Sequence, residues 1–257
     1  DDWIQFAKDE ELNGRLLSAL EAYQQTLTKF PDSFVAGKGA GRLAAGLLRY
    51  EEARKLLEPL HLRDTTDTEI SYYLGLAYDG LGDATRARAS YEQAERLPSF
   101  YPAAALRLGE LLARTGDLAG AERHLADAAH AAPGDERLLE ELVAVKGATG
   151  TVEARRLAHE GLSRFPLSYL LQSEAGSPNL VQLANDPNRV LNLSAQYIRL
   201  GLYAKALAVL DRDYPLPAPD QSEPGTVAPQ KHPMVAYFRG YCHQRLGQSA
   251  EADYSAA

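Results

Sequence analysis

Several short runs in this chain hold residue types that can do chemistry. Gly39-Ala40-Gly41-Arg42-Leu43-Ala44 spells the glycine pattern that lets a backbone approach a dinucleotide pyrophosphate. That chemistry needs a strand before the glycines and a helix N-terminus behind them. No strand pattern precedes Gly39 and helical spacing runs through it, so the expected role is close helix packing. His124, Asp127 and His130 are metal-ligand types. Their offsets spread them around a helix of about 3.6 residues per turn, whereas a metal needs ligands that converge. His159-Glu160 lacks the second His of a helical zinc motif. Cys242 and His243 are adjacent, and neighbouring helical residues point about 100° apart, so Cys242 reads as a structural thiol. Asn192-Leu193-Ser194 is a formal glycosylation sequon inside a helical pattern, and no Gly-x-Ser-x-Gly elbow or phosphate loop occurs. The expectation is no catalytic residue, no metal and no cofactor.

The elements that would position any site follow from a repeat. Ala19, Ala53, Ala87 and Ala121 stand 34 residues apart, each followed four residues later by Tyr23, Leu57, Tyr91 or Leu125. A small residue and a large one at i and i+4 lie on one helix face. Gly82-Asp83 and Gly116-Asp117 combine a left-handed helix stop with a helix N-cap. The ladder steps by 33 to Ala154 and by 52 to Ala206. Between those lies an irregular stretch, Leu167 to Asn188, and six prolines fall from Pro215 to Pro233, a density that forbids regular helix.

The whole chain has 257 residues, 45% hydrophobic, one cysteine and a net charge of −8. One cysteine excludes an internal disulfide, and an acidic balance argues against nucleic acid. No apolar run reaches the roughly 18 residues of a membrane span. The chain opens Asp1-Asp2-Trp3 without Met or a signal segment and stops at Ala257 within a helical pattern, as an excised segment would.

These motifs together resemble the tetratricopeptide repeat (TPR) family. The third unit is clearest, with Leu74-Gly75, Tyr78, Leu81-Gly82, Ala87, Tyr91 and Ala94; the first offers Trp3, Phe6, Ala7, Gly14, Ala19, Tyr23 and Pro31. The resemblance implies an all-α, right-handed superhelix of helix–turn–helix repeats, six units plus a truncated seventh. Four regular units are expected at 1–135, a degenerate one at 136–168 and an irregular insertion at 169–188. A further unit follows at 189–214, a Pro-rich loop at 215–232 and a truncated unit at 233–257.

In TPR proteins helix A of each unit lines the concave surface through slots that packing leaves free. Those slots give a candidate peptide-binding groove of Lys8, Lys38, Arg42, Tyr72, Arg107, Arg114, Tyr237 and Tyr241. Arg pairs bidentately with carboxylates, so a locally positive face and an acidic protein or peptide partner are expected. The family's carboxylate clamp for chaperone tails needs Asn residues, and none occurs between Asn13 and Asn179, so that recognition is not expected. The leading expectation is a non-catalytic peptide-binding scaffold, with self-association through Tyr237, Tyr241 and Leu246 of the incomplete last repeat. As the alternative, Asp186–Gly201 and His232–Gly240 resemble the TPR tail of large bacterial proteins of unknown function with an upstream β-rich, carbohydrate-enzyme-like region. That implies an assembly or substrate-positioning role.

Overall fold

The alanine ladder folds into stacked helical hairpins. The computed structural model describes residues 2–215 and 227–257, and among them every regular element is helical. They form two compact units, the first ending at Leu111 and the second starting at Leu112. The first contains α1 (Asp2–Leu12), α2 (Leu16–Lys29), α3 (Phe34–Gly46), α4 (Tyr50–Arg63), α5 (Thr68–Gly80), α6 (Ala84–Ala94) and most of α7 (Tyr101–Arg114). The second continues with α8 (Leu118–Ala131), α9 (Glu136–Thr149), α10 (Thr151–Leu162), α11 (Tyr169–Glu174) and α12 (Leu180–Ala184). It closes with α13 (Pro187–Arg199), α14 (Tyr203–Leu210), a 3-10 turn at Pro229–Lys231, α15 (Pro233–Arg245) and α16 (Glu251–Ala256). The proline-rich stretch expected at 215–232 lies mostly outside the described residues.

Within the first unit α1 pairs with α2, α3 with α4 and α5 with α6, and each pair packs on the next. The small slots make this possible. Ala19, Ala53, Ala87 and Ala121 are all fully buried, as are Leu57, Tyr91 and Leu125. Gly41 of α3 faces Leu57 of α4, and Gly75 of α5 faces Tyr91 of α6. A methyl at either glycine would sit 2.4 or 2.5 Å from the facing side chain, closer than atoms pack. The Gly39–Ala44 run therefore serves helix contact inside α3, where Gly39 in turn faces the Tyr23 ring. In the second unit the register break at 169–188 holds the two short helices α11 and α12; α11 packs on α9, α10 and α13, and α12 on α13.

Capping follows the same interval. Ser33, Asp67 and Asp135 cap α3, α5 and α9, with Ser168 capping α11 one residue early. Asp83 and Asp117 cap α6 and α8 behind left-handed Gly82 and Gly116, as their sequence implies. Gly14, Gly82 and Gly116 share one turn slot, and its remaining occupant is Leu48, at φ 61° and 70% exposed. A left-handed L-residue costs about 1–2 kcal/mol, while glycine adds back about 0.5–1 kcal/mol of chain entropy. Leu48→Gly should therefore stabilise the first unit by roughly 0.5–1 kcal/mol. A thermal midpoint at or below wild type would show that Leu48 makes contacts that outweigh its strain.

Candidate functional site

In the first unit charged residues of α1, α3 and the start of α5 meet. Asp67, already capping α5, accepts from Lys38 Nζ at 2.7 Å. Glu69 lies 2.7 Å from the same ammonium and 3.5 Å from Arg42 Nε. Glu11 accepts from the Arg42 guanidinium and, at 2.8 Å, from the Tyr23 hydroxyl. Burial works against the Lys38 ammonium, but its bonds to Asp67 and Glu69 outweigh that and hold its pKa above the ordinary value. Two cations are thus matched by three carboxylates. The local excess of positive charge expected here is absent, because residues 29 and 31 positions away in sequence supply its counter-charges. Single-unit slot reading does not see them.

Beside this network lies an aromatic group. Tyr72 packs on Tyr73, Tyr91 and Phe100 at ring separations of 5.2, 6.2 and 5.6 Å. Tyr73 sits next to Arg42, and Arg107 next to Tyr72; Arg107 donates to buried Glu110 at 2.9 Å. Lys38, Arg42, Tyr72 and Arg107 therefore belong to one neighbourhood, together with Glu11, Asp67, Glu69, Tyr73 and Phe100, which the slot reading missed. Lys8 is exposed on α1.

The other candidates, Arg114, Tyr237 and Tyr241, belong to the second unit. Exposed Arg114 lies at the end of α7, its backbone against Gly201. Tyr237 packs on Phe238 and Tyr254, whereas Tyr241 is partly covered by Tyr203. Cys242 is fully buried, and burial pushes its thiol up to about 11, as befits a packing residue. Asp253 of α16 takes hydrogen bonds from Arg239 and His243 of α15, tying the two helices.

A polar cavity of about 300 Å³ opens elsewhere in this unit. Glu136 and Glu140 of α9, Ser168 and Tyr169 at the start of α11, and Asn192 and Gln196 of α13 line it. Glu140 is 8% exposed; it accepts from Ser168 Oγ at 2.5 Å and Gln196 Nε2 at 3.2 Å. Burial raises its pKa, against the Ser168 hydrogen bond. The i,i+4 spacing of Glu136 and Glu140 was a readable signal; the approach of α11 and α13 was not.

No protein-family model matches the chain. Over 106 residues it is 37% identical to the probable biofilm formation methyltransferase WspC of Pseudomonas putida, a match covering 39% of this chain and 25% of that protein. The chain thus spans about a quarter of the curated relative it matches. Solved structures that resemble it include YrrB, a TPR protein with an unusual peptide-binding site, at TM-score 0.57 and 21% identity, covering 68% of this chain and 90% of that one. A TPR protein from Parabacteroides merdae aligns at 0.59 and 16% identity over 99% of this chain and 90% of its own. The type IV pilus biogenesis factor PilW aligns at 0.58 and 17%, covering 81% and 89%. At these identities the likeness is one of fold.

Proposed function

Because the chain has the tetratricopeptide-repeat fold, we propose that it is a protein- or peptide-binding scaffold working through the surface lined by its A helices, the concave side of such arrays. The observation that carries this is the partly exposed band of charge and aromatic rings from Glu11 through Arg42 and Tyr73 to Tyr72 and Arg107. The unusual peptide-binding site of the structurally similar YrrB is in keeping with it. An acidic partner would have to displace Glu11, Asp67 and Glu69 from Lys38 and Arg42, so exposed Lys8 is the more accessible cation for it. Photo-crosslinking groups at Lys8 and Tyr72, compared with Lys55 and Arg88 on the B helices α4 and α6, would test the reading. Partner cross-links from the first pair are expected; cross-links confined to the second pair would overturn it.

A second reading is favoured by the match to a methyltransferase four times the aligned share. In it, this region positions substrate or assembles partners within a larger bacterial enzyme. Its support extends to a helical region beside an enzyme, without favouring carbohydrate chemistry. Deleting the region from a longer parent should then raise KM for a protein substrate while leaving kcat nearly unchanged.

A further inference from the structure

The cavity between α9, α11 and α13 differs from the charge network of the first unit in one respect. There every carboxylate has a cation; here, among the described residues, neither Glu136 nor Glu140 has one within ion-pair distance. The nearby guanidiniums of Arg137 and Arg199 lie against Glu141, at 3.0 and 3.8 Å, and act on Glu140 only through their charge at longer range. Arg189 also borders the cavity, but its guanidinium lies over the Tyr169 ring, donates to the Gln182 carbonyl at 3.1 Å and sits 3.7 Å from Asp186.

We propose that this cavity takes the cationic side chain, guanidinium or ammonium, of a bound protein or peptide. The proposal rests on the scaffold reading above and gives the second unit its own chemistry.

Three features converge on it. An ionised carboxylate offers about four lone-pair sites, and Ser168 and Gln196 occupy two of those on Glu140, leaving acceptor capacity toward the open space. Glu136 stands one helical turn away on the same wall, so an incoming cation meets two carboxylates at once. Asn192, exposed on the α13 side of the cavity, offers both a donor and an acceptor, matching the N–H and C=O of the peptide group that would carry the side chain. The cost of burying Glu140, visible in its raised pKa, is the cost a cation would offset. A dry, neutral donor set around one structural carboxylate would close over it, whereas this one opens on a cavity of about 300 Å³.

The test titrates the protein with the acetylated, amidated peptide Gly-Gly-Arg-Gly-Gly and with its citrulline analogue, which keeps the shape and loses the charge. Amide chemical shifts at Ser168, Tyr169, Asn192 and Gln196 are followed. The arginine peptide should give saturable, salt-sensitive shifts, and the citrulline peptide none. Glu140→Gln should weaken binding roughly tenfold or more, the loss of a charge-assisted pair, and Glu136→Gln should weaken it by a smaller factor. Glu140→Gln keeps the shape and removes a buried charge, so its thermal midpoint should not fall below wild type. Should that variant unfold, the exposed Glu136→Gln decides alone. Equal binding of both peptides, an arginine Kd unchanged by both substitutions, or shifts confined to other residues would overturn the proposal. The cross-links from Lys8 and Tyr72 would be untouched by that failure, and their own failure would leave this titration intact.

Discussion

Truncating Tyr91 to Ala should destabilise the first unit by about 3–5 kcal/mol, the range for removing a fully buried ring. The ring is 0% exposed and fills the space left by Gly75, where a methyl would lie 2.5 Å from it. Urea unfolding followed by amide exchange in α5 and α6 measures the loss. Tyr91→Phe tests a separate point. The hydroxyl is buried without a hydrogen-bond partner, and burial drives its pKa far above the ordinary value. An unsatisfied buried polar group costs about 1–3 kcal/mol, so Phe should be neutral or stabilising. Gly75→Ala completes the set. Helix propensity alone favours Ala by about 1 kcal/mol, whereas overpacking costs about 1–3 kcal/mol. In the native background the clash should win; in Tyr91→Ala, where the space is empty, propensity should win. Additive effects of the two substitutions would mean the glycine is not there to admit the ring.

Lys205→Met should cost about 3 kcal/mol, the low end for breaking a buried ion pair, because Lys205 keeps 26% of its side chain exposed. Its ammonium lies 2.6 and 2.8 Å from the two oxygens of Glu174, which is 7% exposed and also accepts from Tyr197 Oη at 2.8 Å. Without Lys205 that carboxylate stays buried with one neutral donor. Gly147 of α9 leaves room for the pair, since a methyl there would sit 2.3 Å from Glu174 Oε2 and 2.5 Å from Lys205 Nζ. Replacing both partners, as Glu174→Leu with Lys205→Met, should recover most of the loss, because a hydrophobic pair carries no desolvation cost. A single variant as stable as wild type in urea would show that Glu174 reaches solvent after all.

The proposed binding surface of the first unit was half legible. Lys38, Arg42, Tyr72 and Arg107 could be read because each occupies a repeat slot that packing leaves free, and the structure gathers them in one neighbourhood. Their counter-charges could not, since Glu11 and Asp67 sit on the preceding and following A helices, about one repeat away. The cavity of the second unit was missed for a related reason. Its α9 wall lies in regular helix, but Ser168 and Tyr169 fall where the ladder breaks, and helices as short as α11 and α12 leave almost no periodic signal.

The sequence by itself determined the hairpins. Burial of a small residue against a large one is a local, periodic demand, so Ala19 to Ala121, the Gly-Asp turns and the fourth ladder step, to Ala154, reveal where helices stop, start and touch. The tertiary structure alone decided which charges meet. Ion pairs between repeats depend on side chains brought within about 4 Å from positions some 30 residues apart, and no packing rule restricts the residue types there. That is why Lys38 and Arg42, cations by sequence, belong to a neutralised network, while the second unit retains Glu136 and Glu140 around an open cavity.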